Sequence, residues 1–149
     1  MENQRLINFL NQLLSNYFIL YVKLHRYHWF VQGRHFFQLH ETFEEMYEMI
    51  AEDLDGAAER ILMIGGKPLA TMSKYLKEAT LPEATADDKE NEMTARLLED
   101  FTQIIQEIRE EGLPLAEENS DQPTVDLLTV YQGKLEKYCW MLRAYQAYE

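Results

Sequence analysis

The sequence predicts an all-α protein, a four-helix bundle with a short extra helix in the middle crossover connection. Apolar residues recur every three or four positions along four stretches of the chain, which is the period of an amphipathic helix. Turn-forming Gly and Pro separate these stretches, and no alternating strand pattern competes with them. The 149 residues fit one domain, residues 1–149, which is long enough to bury a core without disulfides.

The first two helices are the longest predicted elements. The first extends from about Arg5 to Gln32 and is stopped by Gly33, and His28 falls on its apolar stripe. The second follows a few residues later and ends at Ile64, before a Gly-Gly pair. The apolar stripe of the second helix consists of Leu39, Phe43, Met46, Ile50, Leu54, Ala57, Ile61 and Ile64.

The middle of the chain predicts a short helix and a third long one. The run LATMSKYLKEA has room for two or three helical turns. Thr85 and Asp88 resemble a capping box that opens the third long helix. Gly112 and Pro114 are expected to end that helix, because neither residue favours a helix interior.

The last part of the chain predicts an acidic loop and a fourth long helix. The loop covers Leu115 to Gln122, and Pro123 lies near the start of the helix, where its missing N–H costs nothing. The long connection through the short helix, between the second and third long helices, distinguishes this bundle from a simple up-down arrangement.

Composition and charge exclude several classes of function. The formal charge is −12, from 26 acidic against 14 basic residues, which opposes non-specific attraction to nucleic acid or anionic lipid and favours cations. No signal peptide or long apolar run is evident, so we expect no membrane association and a cytoplasmic location. The single cysteine, Cys139, is expected to be a small buried residue.

Histidines and carboxylates share one face of the second helix. All four histidines of the chain lie between Lys23 and Arg60. At about 100° per residue, four potential ligands fall within an arc of roughly 100° beside the apolar stripe. They are His40, Glu44, Asp55 and Glu59. Small Ala51 and Ala58 lie among them, so a second body could approach closely.

The spacing of these residues predicts a site shared by two chains. His40 and Asp55 are fifteen positions apart, about 22 Å along a helix axis, so one chain cannot close the set around one ion. Two antiparallel copies of the helix, related by a two-fold axis near Met49 and Ile50, would place His40 of one chain beside Asp55 and Glu59 of the other. Imidazole and carboxylate ligands suit first-row metals, with non-haem iron as the first candidate.

The other polar residues of this segment are expected to be structural. His25 is expected to pack or hydrogen-bond near the subunit interface, and His35 to be exposed in the turn. Most of the remaining acids are expected to be solvated at the surface, because single acids on a helix are usually solvated. They are Glu41, Glu44, Glu45, Glu48, Glu52 and Asp53.

Three segments carry a resemblance to a known family. KLHRYHWFVQG, FFQLHETFE and DLDGAAERI resemble the Dps family of ferritin-like mini-ferritins, and the likeness spans nearly the whole chain. The pattern is a histidine before Trp, a Gly-containing turn, a second histidine in LHE twelve residues on, and DxxAER fifteen beyond that. The resemblance implies a ferritin-like fold and ferroxidase activity.

The resemblance also implies which residues form the metal site, which would bind two irons with ligands from two subunits. The ligands would be His28 and His40 of one subunit with Asp55 and Glu59 of its two-fold mate. Glu44 matches a further acidic position that is often Asp in relatives and helps to hold the second iron. Trp29 matches an aromatic neighbour that can intercept a stray oxidising equivalent.

Family members form hollow homododecamers built from isologous dimers, and the resemblance implies the same assembly here. They oxidise Fe(II) preferentially with hydrogen peroxide, the other candidate oxidant being O₂, and store the ferric mineral inside. Asp121 and Asp126 match positions that line pores for iron at three-fold axes in relatives. A ring of carboxylates there would concentrate Fe(II).

DNA binding is not expected, although it is a property of some relatives. Those that condense DNA usually carry a Lys/Arg-rich tail, whereas this chain starts MENQR and ends RAYQAYE. Two alternatives to an iron-storing ferroxidase are open at this point. One is a DNA-protecting member that binds nucleic acid through another surface, and the other is a helical oligomerisation scaffold whose histidines only pack.

Overall fold

The structure, a computed structural model, describes residues 2–85 and 89–147 and has the predicted all-α bundle architecture. Its helices are α1 Gln4–Phe30, α2 Phe36–Met63, α3 Met72–Glu78, α4 Glu90–Glu107, α5 Leu113–Glu118 and α6 Gln122–Gln146. A π-helical segment, Ile108–Gly112, joins α4 to α5. Over these two ranges, β-type pairing is limited to an isolated bridge between Gln32 and Lys89. The prediction of four long helices, with a short one in the middle crossover, is confirmed.

The apolar stripes of the long helices form the core. Every member of the predicted α2 stripe is buried or half-buried, and the α1 stripe is buried from Leu6 to Val31 apart from half-buried Tyr21. Cys139 of α6 is buried, as expected. None of the helices in the described part of the chain has the length and apolar character that crossing a membrane would require.

The crossover between α2 and α4 is fixed to α1 by a buried asparagine. Asn16 is fully buried, and its Oδ1 accepts hydrogen bonds from the backbone N–H groups of Thr80 (2.8 Å) and Leu81 (3.1 Å). Because these backbone donors would otherwise lack partners, the bonds hold the end of the crossover against the bundle. The predicted short helix is confirmed as α3, and Thr71 caps it by accepting from Lys74 N at 3.3 Å.

The beginning and end of the third long helix depart from the prediction in different ways. Of the expected capping box, Asp88 lies outside the described residues, and Thr85 lies before the helix, since α4 begins at Glu90 with Lys89 in the capping position. The expected end at Gly112 and Pro114 is wrong, because the helix continues through the π-helical segment into α5. In that wider turn Leu113 N bonds to Ile108 O, five residues back, and Pro114 falls in the first turn of α5, where an N–H is dispensable.

Gly112 serves close packing at this point and does not end the helix. A Cβ atom there would lie 2.5 Å from Cε2 of Phe9 in α1 and 3.2 Å from Cδ1 of Leu128 in α6. Only glycine therefore allows these two helices to pack this closely against the π-helical segment. The acidic loop predicted for Leu115 to Gln122 is shorter than expected. Residues as far as Glu118 are helical, and residues 119–121 form the connection to α6.

Two Lys–Asp ion pairs join helices across the bundle. Lys23 Nζ of α1 lies 2.8 Å from Asp100 Oδ2 of α4, and both side chains are more than nine-tenths buried. Lys134 Nζ of α6 lies 3.0 Å from Asp53 Oδ1 of α2. Asp53 is an exception to the expectation that most acids of this segment are solvated, since it is 4% exposed beside α6. Burial raises the pKa of Asp53 above its ordinary value, although Lys134 opposes this.

Candidate metal centre

The turn between α1 and α2 brings two of the predicted ligands face to face. His28 lies in the last turn of α1 on the buried stripe, and His40 lies just over one turn into α2. Their rings stack with centroids 3.7 Å apart and planes 11° from parallel. His28 is 7% exposed and His40 is half-buried, so one edge of the pair is open at the protein surface.

Reciprocal hydrogen bonds fix the orientation of both imidazoles. His28 Nδ1 lies 2.6 Å from the carbonyl oxygen of His40, and His40 Nδ1 lies 2.7 Å from the carbonyl oxygen of His28. A carbonyl oxygen can only accept, so each Nδ1 donates, and Nε2 is the ring nitrogen left to bind a metal. Metal-binding histidines are commonly oriented in this way. Both side chains are thus oriented to bind a metal through Nε2.

Glu44 is the carboxylate of the same chain that lies beside the histidine pair. Its Oε1 lies 3.8 Å from His28 Nε2, and its side chain is 46% exposed. Tyr47, which the sequence reasoning missed, lies edge-on to His28 with ring centroids 5.5 Å apart. Burial and the charges of Glu44 and Glu48 raise the pKa of Tyr47, so its phenol stays protonated. Its spacing of two helical turns from His40 could have identified it.

Asp55 and Glu59 lie in the distant half of α2 and are both exposed. About 22 Å of helix separates Asp55 from His40. In residues 2–85 and 89–147, no three His, Cys, Asp or Glu side chains of the single chain form a group that could hold a metal ion. Half-buried Ala51 lies between the two groups of ligands, and half-buried Ala58 lies between Asp55 and Glu59. The chain therefore presents an imidazole end and a carboxylate end on one helix.

Aromatic side chains cover the α1 side of the imidazole pair. His25 Nδ1 donates to the carbonyl oxygen of Tyr21 at 2.7 Å, and its ring stacks on Tyr47 at 3.7 Å. Trp29 is 64% exposed, with its ring 5.5 Å from that of His25. His25 therefore packs between Trp29 and Tyr47. His35, as expected, is exposed in the turn.

The two predicted pore residues lie near the start of α6 and differ in their surroundings. Asp121 caps α6 by accepting from Thr124 N at 3.1 Å, and it pairs with Arg60 Nη2 at 2.7 Å. Although burial acts to raise it, these partners hold the pKa of Asp121 below its ordinary value. Asp126 is exposed and accepts from Gln122 at 2.8 Å. Asp121 thus has a structural task within the chain, and the pore role of both residues stays a prediction.

Comparisons with known proteins bear on this arrangement. The family model described as "Ferritin-like domain" matches residues 7–148. "DNA protection during starvation protein 2" of Bacillus anthracis is 41% identical over 143 residues, 96% of this chain and 97% of the relative. The crystal structure of a Dps protein from Bacillus brevis has 40% identity and a TM-score of 0.94, covering 97% of this chain and 96% of that one.

A third relative is described in terms of its metal chemistry. The crystal structure of a Dps protein from Vibrio cholerae O1 is presented as "a member of a broad superfamily of ferritin-like diiron-carboxylate proteins". It has 38% identity and a TM-score of 0.92, and the match covers 97% of this chain and 90% of that one.

Proposed function

Because this chain belongs to the Dps family of ferritin-like proteins, we propose that it stores and detoxifies iron by oxidising Fe(II) at centres shared between two subunits. The family as a whole supports iron storage and DNA protection, and its diiron-carboxylate members support iron binding. The observation that carries the proposal is the reciprocal hydrogen bonding of His28 and His40, which leaves two Nε2 atoms at one open edge.

The second half of each centre comes from the partner subunit. When two copies of α2 pack antiparallel, the carboxylate end of one copy lies against the imidazole end of the other. The ligands of one centre are then His28, His40 and Glu44 of one subunit with Asp55 and Glu59 of its mate. Small Ala51 and Ala58, which lie among the ligands on this face of α2, allow the helices to approach closely. Imidazole and carboxylate ligands together suit non-haem iron.

The chemistry requires two irons held together. Each Fe(II) gives up one electron, and one hydrogen peroxide molecule takes both electrons and two protons to become two water molecules. Because the electrons arrive together, no hydroxyl radical is released. The partner's carboxylates favour Fe(III) by their charge, and Glu44 provides the additional oxygen ligand for the second iron. Trp29, exposed beside His25, can give up an electron to a stray oxidant.

The assembly completes the proposal. Twelve subunits built from such dimers form a cage that keeps the ferric mineral inside, and iron enters through acidic pores that include Asp121 and Asp126. We place the protein in the cytoplasm, where the free thiol of Cys139 can persist without a disulfide partner.

Mixed oligomers test whether two chains share each centre. His40→Ala and Asp55→Ala variants are each expected to lose peroxide-dependent Fe(II) oxidation, followed by ferric absorbance after anaerobic loading. When the two variants are unfolded, mixed in equal amounts and refolded together, about one quarter of the centres receive an intact imidazole end and an intact carboxylate end. Activity should therefore return to about a quarter of the wild-type value.

The control is each variant refolded alone, which should stay inactive. If the mixture also stays inactive while native mass shows mixed oligomers, the centre is not shared between chains. If either variant alone oxidises iron as fast as wild type, the ligand assignment fails. Unchanged oxidation by both would favour the helical scaffold, whose histidines only pack.

A DNA-protecting function is the second candidate, favoured by the name of the Bacillus anthracis relative. The net charge of −12 acts against it, because phosphate binding needs basic groups whose binding releases counterions. A gel-shift assay of supercoiled plasmid at low salt and neutral pH tests whether the protein binds DNA. Retarded plasmid would support DNA binding, and unchanged migration is expected.

A further inference from the structure

Glu90, at the start of α4, holds the turn that connects the two histidine-bearing helices. Its Oε2 accepts from the backbone N–H of His35 at 2.9 Å, and its Oε1 accepts from His35 Nδ1 at 2.7 Å and from the Tyr145 hydroxyl at 2.6 Å. Its own backbone N–H donates to the carbonyl oxygen of Gln32 at 3.2 Å. One residue of α4 thus binds the turn at two points, and α6 reaches the same carboxylate.

The environment of Glu90 is built for a carboxylate. The residue is 9% exposed, and a buried charge is tolerated only when donors satisfy it, as the three donors do here. Its negative charge also lies at the N-terminus of α2, whose capping residue His35 makes no side-chain cap, so the helix dipole favours it. The hydrogen bonds from Tyr145 and His35 outweigh burial and lower the pKa of Glu90.

The turn leaves space for this carboxylate because it contains glycine. Gly33 has φ +149°, a conformation that side chains disfavour, and a Cβ atom there would lie 2.2 Å from Glu90 Oε2. Glycine is therefore needed at this position both for the backbone conformation and for the approach of Glu90.

The turn determines how the imidazoles meet. Residues 31–35 separate α1 from α2, with His28 just before them and His40 just after. The reciprocal Nδ1–carbonyl bonds require the two helix ends to keep one spacing and one angle. Glu90 fixes both Gln32 and His35 from the side of the turn that faces α4 and α6. A change in the turn would move the histidine-bearing helix ends relative to each other.

We propose that Glu90 is a positioning residue for the metal centre, acting through the α1–α2 turn to hold His28 and His40 in register for metal binding. The inference rests on the proposed function, because it assumes that the histidine pair binds metal. Glu90 itself touches no ligand. Its contribution is the geometry of the turn, so any side chain that satisfies the same donors and acceptors should replace it.

Cobalt(II) binding, followed by its visible absorption in the refolded oligomer at 20 °C, tests the positioning role without any oxidation step. We expect Glu90→Ala to bind Co(II) about tenfold more weakly than wild type, the lower end of the loss that follows when a group that helps to orient metal ligands is removed. The matched control is Glu92→Ala, since Glu92 lies in the same first turn of α4 but pairs with exposed Arg96. It should bind Co(II) like wild type.

Two further variants distinguish positioning from general stability. Glu90→Gln should recover most of the affinity, because its amide oxygen can accept from His35 N while its NH₂ group donates to Nδ1 of the other His35 tautomer and to the Tyr145 oxygen. Gly33→Ala, which displaces the carboxylate from the opposite side, should weaken Co(II) binding as Glu90→Ala does. Hydrogen exchange of the peptide covering residues 31–40 should accelerate in Glu90→Ala and Gly33→Ala only.

The outcomes separate this inference from the proposed function. If wild type binds Co(II) no better than His40→Ala, the proposed metal centre is wrong. If hydrogen exchange at residues 31–40 is also unchanged in Glu90→Ala, Glu90 does not hold the α1–α2 turn either. If wild type binds and His40→Ala does not, but Glu90→Ala equals Glu92→Ala in affinity and exchange, the positioning role is wrong. If hydrogen exchange in Glu90→Ala accelerates over the whole chain while the Co(II) affinity is unchanged, Glu90 has a general structural role and the positioning role is wrong.

Discussion

The two ends of α2 are prepared for metal binding to different degrees. At the N-terminal end, His40 is fixed by a hydrogen bond to the His28 carbonyl and by ring stacking, and Glu90 holds the adjoining turn. At the C-terminal half, Asp55 and Glu59 are exposed. The helix is equally regular throughout, so the difference lies in what packs against each end.

This difference suggests that the imidazole end is organised by the fold and the carboxylate end by assembly. A histidine pair that is fixed within one chain needs little reorganisation when metal arrives, which favours binding. Exposed carboxylates stay hydrated until a partner approaches, so they do not have to be buried unpaired in the free chain. Changes at the imidazole end should therefore affect folding as well as metal binding.

The largest effect on stability is expected for His40→Ala. The substitution removes the hydrogen bond to the His28 carbonyl and the stacking on His28 and Phe36. We expect the free energy of unfolding of the metal-free protein to fall by about 2 kcal/mol. Urea unfolding followed by circular dichroism measures this. An unfolding midpoint equal to that of wild type would mean that the imidazole pair contributes nothing to the fold.

A somewhat smaller effect is expected for Gly56→Ala, beside the carboxylate end. A Cβ atom at Gly56 would lie 2.5 Å from the Tyr131 hydroxyl, which donates to the Asp53 carbonyl oxygen at 2.6 Å. We expect a loss of about 1 to 2 kcal/mol of stability in the same urea assay, from overpacking. The matched control is Gly133→Ala, where an added Cβ meets nothing within 4 Å and should not destabilise. Equal effects of the two substitutions would contradict this account.

A pH-dependent effect is expected at the end of α2, where Asp121 pairs with Arg60. The pKa of Asp121 is lower in the folded chain than its ordinary value, so its contribution to stability is complete above the ordinary Asp range near about 4 and is lost as the pH falls through the folded-state pKa. Asp121→Asn should therefore lower the melting temperature at pH 7, and the difference from wild type should shrink below pH 4. Thermal unfolding across this pH range tests it, and a constant difference would exclude the carboxylate as the cause.

The smallest effect on folding is expected for Asp55→Ala. Because the side chain is exposed, the metal-free protein should change in stability by no more than about 0.5 kcal/mol. Metal binding should nevertheless be lost, as measured by Co(II) titration. A large loss of stability without metal would show that the carboxylate end is also part of the fold.

The sequence was sufficient to predict those parts of the fold in which local pattern and tertiary packing agree. The apolar period identified α1 and α2, and it placed His28 on a buried stripe. It failed at Gly112 and Pro114, because both residues usually end helices. Their neighbours decide the outcome here: Phe9 and Leu128 need the space that glycine leaves, and a π-helical turn changes the hydrogen-bond register before the proline.

The candidate site was predictable as a set of residues, whereas its orientation was not. Helical spacing was enough to place His40 and the carboxylates on one face. The hydrogen bonds that fix the ring tautomers run to backbone carbonyls, which every residue possesses, so no side-chain pattern reveals them. Glu90 was missed for a related reason: it lies fifty-five residues from His35, and only the packing of α4 against the turn brings them together.

The buried pair of Lys23 and Asp100 has a consequence for the choice of topology during folding. A bundle of amphipathic helices can in principle dock its second hairpin the other way round, with α4 and α6 exchanged, and still cover most of its apolar surface. That arrangement would separate Lys23 from Asp100 and leave two charges in the interior without partners, at a cost of about 3–5 kcal/mol. The ion pair thus favours the observed arrangement of the helices over the exchanged one.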